Sequence, residues 1–187
     1  MDMLIAVLNG RALRVAVYLL AAVLSFAAAW QASPRSRRRD RPLLSFWLAT
    51  GSILVVLALS REVDLAARIA EIGRTVFRTE GWYASRRPAQ EAAVLATLAG
   101  AGSFTVGGSV ALIRMQRGRI VPGFGALMAL ATFLVVRAIS LHDIDAVLYG
   151  RAINHVYMNA VAELAATLLI AVAALLTLSI QRSRARS

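Results

Sequence analysis

An all-α fold is predicted, a five-span transmembrane helical bundle with one interfacial amphipathic helix, forming a single integral membrane domain over residues 1–187. Three observations predict it. Hydrophobic residues make up 59% of the 187 and the mean hydropathy is +0.66, whereas about 45–50% is usual in soluble domains. Charge is absent from several runs long enough to cross a bilayer. Arginine gathers at the ends of those runs rather than on one face of a folded domain.

The third observation decides how the net charge of +11 is read. In a soluble protein that charge points to nucleic acid, through a basic face on a folded domain. Here the cations flank apolar segments, so no nucleic-acid partner is expected. All 21 cationic residues are arginine. Cysteine is absent, which excludes disulfides, thiolate metal ligands and a cysteine nucleophile.

The spans follow from positions. Uncharged runs lie between Arg14 and Arg35, between Arg41 and Arg61 and between Glu91 and Arg114, which leaves 20, 19 and 22 residues. A helix rises about 1.5 Å per residue, so roughly 20 residues cross a hydrocarbon core of about 30 Å. Two further runs, Ile120 to Val136 and Leu164 to Gln181, are slightly short at 17 and 18 residues. Extending them to Leu141 and back to Val156 restores the length and places Arg137 and Glu163 inside the helices. The spans are therefore expected at about 15–33, 43–60, 91–113, 120–141 and 156–180. A secretory signal is the rival reading of the first run, with Ala27, Ala28 and Ala29 resembling a cleavage site. The arginines at 35, 37, 38, 39 and 41 that follow have the character of a stop-transfer flank instead.

Short loops rich in arginine tend to stay cytoplasmic. Eleven arginines fall in the 34–42 loop, the 114–119 loop and the 182–187 tail, which five spans put on one side; ten fall on the other. A cytoplasmic carboxyl terminus and an outside amino terminus are expected.

The first two spans carry Trp30 and Trp47 near their ends, where interfacial aromatics are common. Residues 61–80 then form an amphipathic pattern. Val63, Leu65, Ile69, Ile72 and Val76 share one half of a helical wheel, and Asp64, Arg68, Glu71 and Arg74 the other, as suits a helix lying at the bilayer interface. Gly81 ends it. Trp82 and Tyr83 suit the headgroup level, and Arg86 and Arg87 are candidates for contact with a lipid or another anion. The third span spaces Ala96 and Gly100, and Ser103 and Gly107, four apart; the fourth begins with Gly123, Gly125 and Ala129. Small residues at that spacing let helices approach closely, within the chain, in a homo-oligomer or against a membrane-protein partner. No phosphate-binding glycine loop is present, because the glycines of Gly100-Ala101-Gly102 lie within an apolar helix.

Gly81-Trp82-Tyr83-x-x-Arg86-Arg87-x-x-Gln90, Arg137-x-x-Ser140-x-His142-x-x-Asp145 and Asn159-x-x-x-Glu163 together resemble a pattern of uncharacterised small multi-span bacterial membrane proteins. The resemblance covers about 61–163. It implies an inner-membrane location and no particular activity.

The least bland stretch of the chain is the polar connection between the last two spans. Its candidate site comprises Arg137, Ser140, His142, Asp145, His155, Asn159 and Glu163. Arg137 and Glu163 lie at similar depths, and an unpaired charge in hydrocarbon costs about 2.5–3.5 kcal/mol on translocon scales, so the two are expected to pair. A salt bridge that sets helix register accounts for such a pair as well as a functional site does. His155, Asn159 and Glu163 recur every four residues, as on one helix face. His142, His155 and Glu163 are the weak candidates for metal ligands, since imidazole and carboxylate suit zinc or iron. Haem between the two histidines, and acid–base chemistry at a buried Glu163, are further readings. Ser140 and His142 are too close in sequence to form a triad. Asp143 and Asn154 fit helix caps. No motif decides whether the protein is an enzyme, and no cofactor is indicated. The leading expectation is an accessory or interaction subunit with a polar site near the exoplasmic face; the alternative is a membrane-embedded enzyme or metal- or haem-binding protein that uses Arg137, His142, His155 and Glu163.

Overall fold

Proline opens three of the five long helices. Pro42, Pro88 and Pro122 each fall in a first turn, where the missing N–H has no intrahelical acceptor to lose and the fixed φ already suits a helix. The computed structural model describes residues 10–32, 41–63, 86–115, 117–139, 152–153 and 156–186. Its helices are α1 (Arg11–Ala32), α2 (Arg41–Glu62), α3 (Arg86–Arg114), α4 (Val121–Ile139) and α5 (Met158–Arg186). All five are long and apolar enough to cross a membrane, and each coincides with an expected span to within a few residues. A 3₁₀ turn, Gly118–Ile120, leads into α4, closed by the Ile120 N–H donating to the Arg117 carbonyl at 3.0 Å.

One difference concerns the start of α5. Ala152–Ile153 (β1) and Val156–Tyr157 (β2) form a two-residue antiparallel pair, with Ala152 opposite Tyr157 and Ile153 opposite Val156. The last helix therefore starts at Met158, and β2 separates it from His155. Of the expected stripe, Asn159 and Glu163 lie on the helix, whereas His155, and Asn154 as the expected cap, lie outside the described residues. Extended backbone has no period of four, so helical spacing does not run through β2. The interfacial helix expected over 61–80 lies outside the described residues apart from the last turn of α2.

The helices pack in the order α2–α1–α5–α4–α3. Half of the apolar stretch of α5 is buried, and none of that of α3. Alanines supply the centre: Ala21, Ala22, Ala28 and Ala29 on α1, and Ala166, Ala171, Ala173 and Ala174 on α5. Side chains this small let helix backbones approach closely enough for dispersion forces to help hold them together. The first span is thus a central packing element.

Trp47 overturns a further expectation. It is fully buried, edge-on to Phe46 with ring centroids 5.0 Å apart. A Cβ placed on Gly123 of α4 would come within 2.8 Å of its ring. The glycine makes room for the indole, and that room turns a tryptophan expected at the interface into a core residue. Trp30 is 75% exposed near the end of α1.

Candidate functional site

Tyr18 follows Arg14 by one helical turn, so both lie on one face of α1, the face that continues into the buried Ala21, Ala22 and Ser25. On α2, Arg61 follows the buried Leu54 and Ala58 along a single stripe, and on α4 Arg137 follows Ala126 and Leu130. On α5 the inward stripe runs Asn159, Glu163, Ala166, Thr167 and Ile170. Successive helices alternate in direction, which brings the start of α1, the ends of α2 and α4 and the start of α5 to one end of the bundle. There Arg11 Nη1 also donates to the Glu62 carbonyl at 3.3 Å.

Glu163 is the centre of this end. Its side chain is 1% exposed, and donors from three other helices reach it. Tyr18 donates its hydroxyl to Oε1 at 2.8 Å. Arg61 grips the carboxylate with two prongs, Nε to Oε1 at 2.9 Å and Nη2 to Oε2. Arg137 Nη1 donates to Oε2 at 3.2 Å. Arg14 Nη1 stands 3.7 Å from the same oxygen, within ion-pair range. Thr167 donates back to the Glu163 carbonyl at 2.8 Å, tying the next turn of α5 to the residue. Asn159 is buried one turn earlier.

The planar fork of Arg61 matches the two carboxylate oxygens, a geometry lysine cannot reproduce. Four hydrogen bonds meet about four lone-pair positions, so the carboxylate is fully engaged as an acceptor. Three guanidiniums around it repel a divalent cation, and among the described residues no group of three or more His, Asp or Glu side chains comes together. The arrangement suits anchoring four helices and binding negative charge.

Of the expected site residues, the structure brings Arg137 and Glu163 together and buries Asn159 beside them. Ser140, His142, Asp145 and His155 lie outside the described residues. Arg86 and Arg87 are the first two residues of α3; the anion contact expected of them concerns side chains that are likewise outside the description. Sequence reasoning missed Arg14, Tyr18 and Arg61. A signal was present: Arg14 and Arg61 bound the first two uncharged runs, and five alternating spans place both at the same end as Glu163. In sequence they look like span limits rather than partners.

The fold and the site define a class: a five-helix bundle of membrane-crossing length, stapled at one end by a buried arginine–carboxylate cluster. Compared with protein-family models, curated proteins and solved structures, the chain matches none.

Proposed function

We propose that this chain is a multi-pass integral membrane protein of a bacterial inner membrane that works as an accessory or interaction subunit, with its arginine–carboxylate end exoplasmic and its carboxyl terminus cytoplasmic. The observation that carries the reading is the position of α3. That helix packs chiefly on α4 and leaves a small-residue face uncovered: a Cβ on Gly100, Gly102 or Gly107 would meet nothing within 4 Å. Beside it, an apolar groove of about 560 Å³ runs between α3 and α4, lined among others by Gly102, Gly125, Met128 and Phe133. The groove's threonines are satisfied internally, Thr105 and Thr132 donating to the carbonyls four residues earlier at 2.7 Å. A partner helix with a complementary small-residue face fits such a surface by close packing.

Glu163 supports the non-catalytic side of this reading, because a carboxylate already accepting four hydrogen bonds is a poor general base. The enzyme or metal alternative rests on His142 and His155.

The test is cross-linking in native membranes from a single cysteine at Gly102, in a chain with no native cysteine. A discrete adduct, either a homodimer or one co-purifying membrane protein, is expected, and Gly100→Leu abolishes it without lowering the unfolding temperature. A monodisperse, uncross-linked monomer with no co-purifying subunit sinks the proposal.

A further inference from the structure

We infer that a groove between α2, α3 and α4, at the end of the bundle away from Glu163, holds one acyl chain of an anionic phospholipid whose phosphate meets the arginines at the groove's mouth. This groove shares no lining residue with the one between α3 and α4, so it is available whether or not α3 takes a partner.

The lining calls for an apolar occupant. The groove has a volume of about 600 Å³. Phe124 lines it with its ring 5.8 Å from that of Phe104, lying so close to α3 that a Cβ added to Gly108 would come within 2.7 Å of it. Only Ser45 and Arg117 bring polar side chains to the lining. Ser45 Oγ donates to the Pro42 carbonyl at 3.1 Å, which leaves Arg117 as the polar group that an occupant meets.

The length favours a lipid chain over a protein helix. Lining residues run from Pro42 to Ala49 on α2 and from Phe104 to Met115 on α3, about 10 Å and about 16 Å along the helix axes at about 1.5 Å per residue. One leaflet is half of a hydrocarbon core of about 30 Å. When the helices span a bilayer, the groove extends for one leaflet and stops there, as an acyl chain does. A crossing helix would need a surface about twice as long.

The charge at the mouth selects the headgroup. Arg117 lines the groove itself, Arg41 precedes the lining Pro42 and Arg114 precedes the lining Met115. Arg41, Arg114 and Arg117 are exposed, and among the described residues they form no ion pair or side-chain hydrogen bond. They differ in this from Arg14, Arg61 and Arg137, which are engaged at Glu163. The segments that reach this end carry eleven arginines and a single acid, Asp40, so the chain's own carboxylates balance at most one of the cations. A guanidinium fork fits phosphate oxygens in pairs, and each basic residue beside an anionic lipid surface contributes about fivefold to binding.

The experiment uses the full chain, delipidated in a neutral maltoside detergent, with lipid binding titrated by native mass spectrometry and thermal unfolding followed by tryptophan fluorescence. Three additions are compared: phosphatidylglycerol, phosphatidylcholine of the same acyl chains, and glycerophosphoglycerol, the first headgroup without its chains. Phosphatidylglycerol is expected to bind about tenfold more tightly than phosphatidylcholine and to raise the unfolding temperature, and the chainless headgroup to do neither.

Arg117→Gln weakens phosphatidylglycerol binding about fivefold and leaves phosphatidylcholine binding unchanged. Ala49→Phe, at an exposed position of α2, fills the groove and removes one bound phosphatidylglycerol without changing the unfolding temperature of the lipid-free protein. Four outcomes overturn the inference. Equal affinity for the two lipids removes the headgroup preference. An equal response to glycerophosphoglycerol makes the ligand a free anion. Unchanged lipid binding in Ala49→Phe places the lipid elsewhere. A dimer or a co-purifying protein that Ala49→Phe dissociates puts a second copy or another protein in the groove.

Discussion

At the scale of single residues, Glu163 is the most consequential side chain. Removing one member of a buried ion pair costs more than the pair itself contributes, because the remaining charges are left without compensation. Glu163→Gln is expected to lower stability by about 3 kcal/mol, measured by chemical or thermal unfolding in detergent. Arg61, which gives Glu163 two hydrogen bonds, should cost more when changed to Gln than Arg137, which gives it one at 3.2 Å. Tyr18→Phe, which deletes a hydrogen bond to a charged acceptor at 2.8 Å, should cost about 2 kcal/mol. A reversed ranking of Arg137 and Arg61 contradicts this geometry. Part of the cluster is legible in the sequence. A buried Glu163 and an Arg137 at matching depth needed only positions and the cost of charge in hydrocarbon. Tyr18 was not legible, since a tyrosine in an apolar run looks the same whether its hydroxyl meets a carboxylate or a headgroup.

Individual helices show why small-residue patterns alone under-determine packing. Gly108 and Gly123 are both met closely, Gly108 by the Phe124 ring at 2.7 Å from an added Cβ and Gly123 by Trp47 at 2.8 Å. Gly100, Gly102 and Gly107 belong to an equally suggestive run and meet nothing. Gly123→Ala is therefore expected to cost about 1–3 kcal/mol through overpacking. Gly100→Ala is expected to gain up to about 1 kcal/mol from helix propensity. Equal effects at the two positions, in parallel unfolding curves, rule out the assignment of Gly123 to a core contact. The close approaches depend on a large side chain arriving from another helix, and nothing in the spacing of the glycines says which helix that is. The alanine faces of α1 and α5 make the same point from the opposite side: they form the centre of the core, yet in sequence they are ordinary apolar runs.

For the molecule as a whole, alternating helices sort the charges. The end reached by the 33–40 connection, the 3₁₀ turn and the end of α5 holds eleven arginines and one acid, Asp40; the opposite end holds ten arginines and nine acids. Under the proposed orientation the first end is cytoplasmic. Because the chain has no cysteine, single-cysteine labelling reads the topology directly. A membrane-impermeant maleimide should label Val63→Cys in intact cells and Gly118→Cys only after permeabilisation. The opposite pattern inverts the orientation and keeps the five crossings; labelling of both from one side removes the five-crossing topology.

The number of long helices, their approximate limits and the pairing of Arg137 with Glu163 were determined by the sequence alone. Length, apolarity and the energetic cost of buried charge act along the chain, where a single sequence displays them. The convergence of Arg14, Tyr18 and Arg61 on the same carboxylate, the burial of Trp47 against Gly123 and the peripheral place of α3 were decided by tertiary structure. Each depends on which helix lies beside which, at what separation and rotation. Glu163 is held by donors 26 to 145 residues away in sequence, and a contact at that separation leaves no periodicity to read.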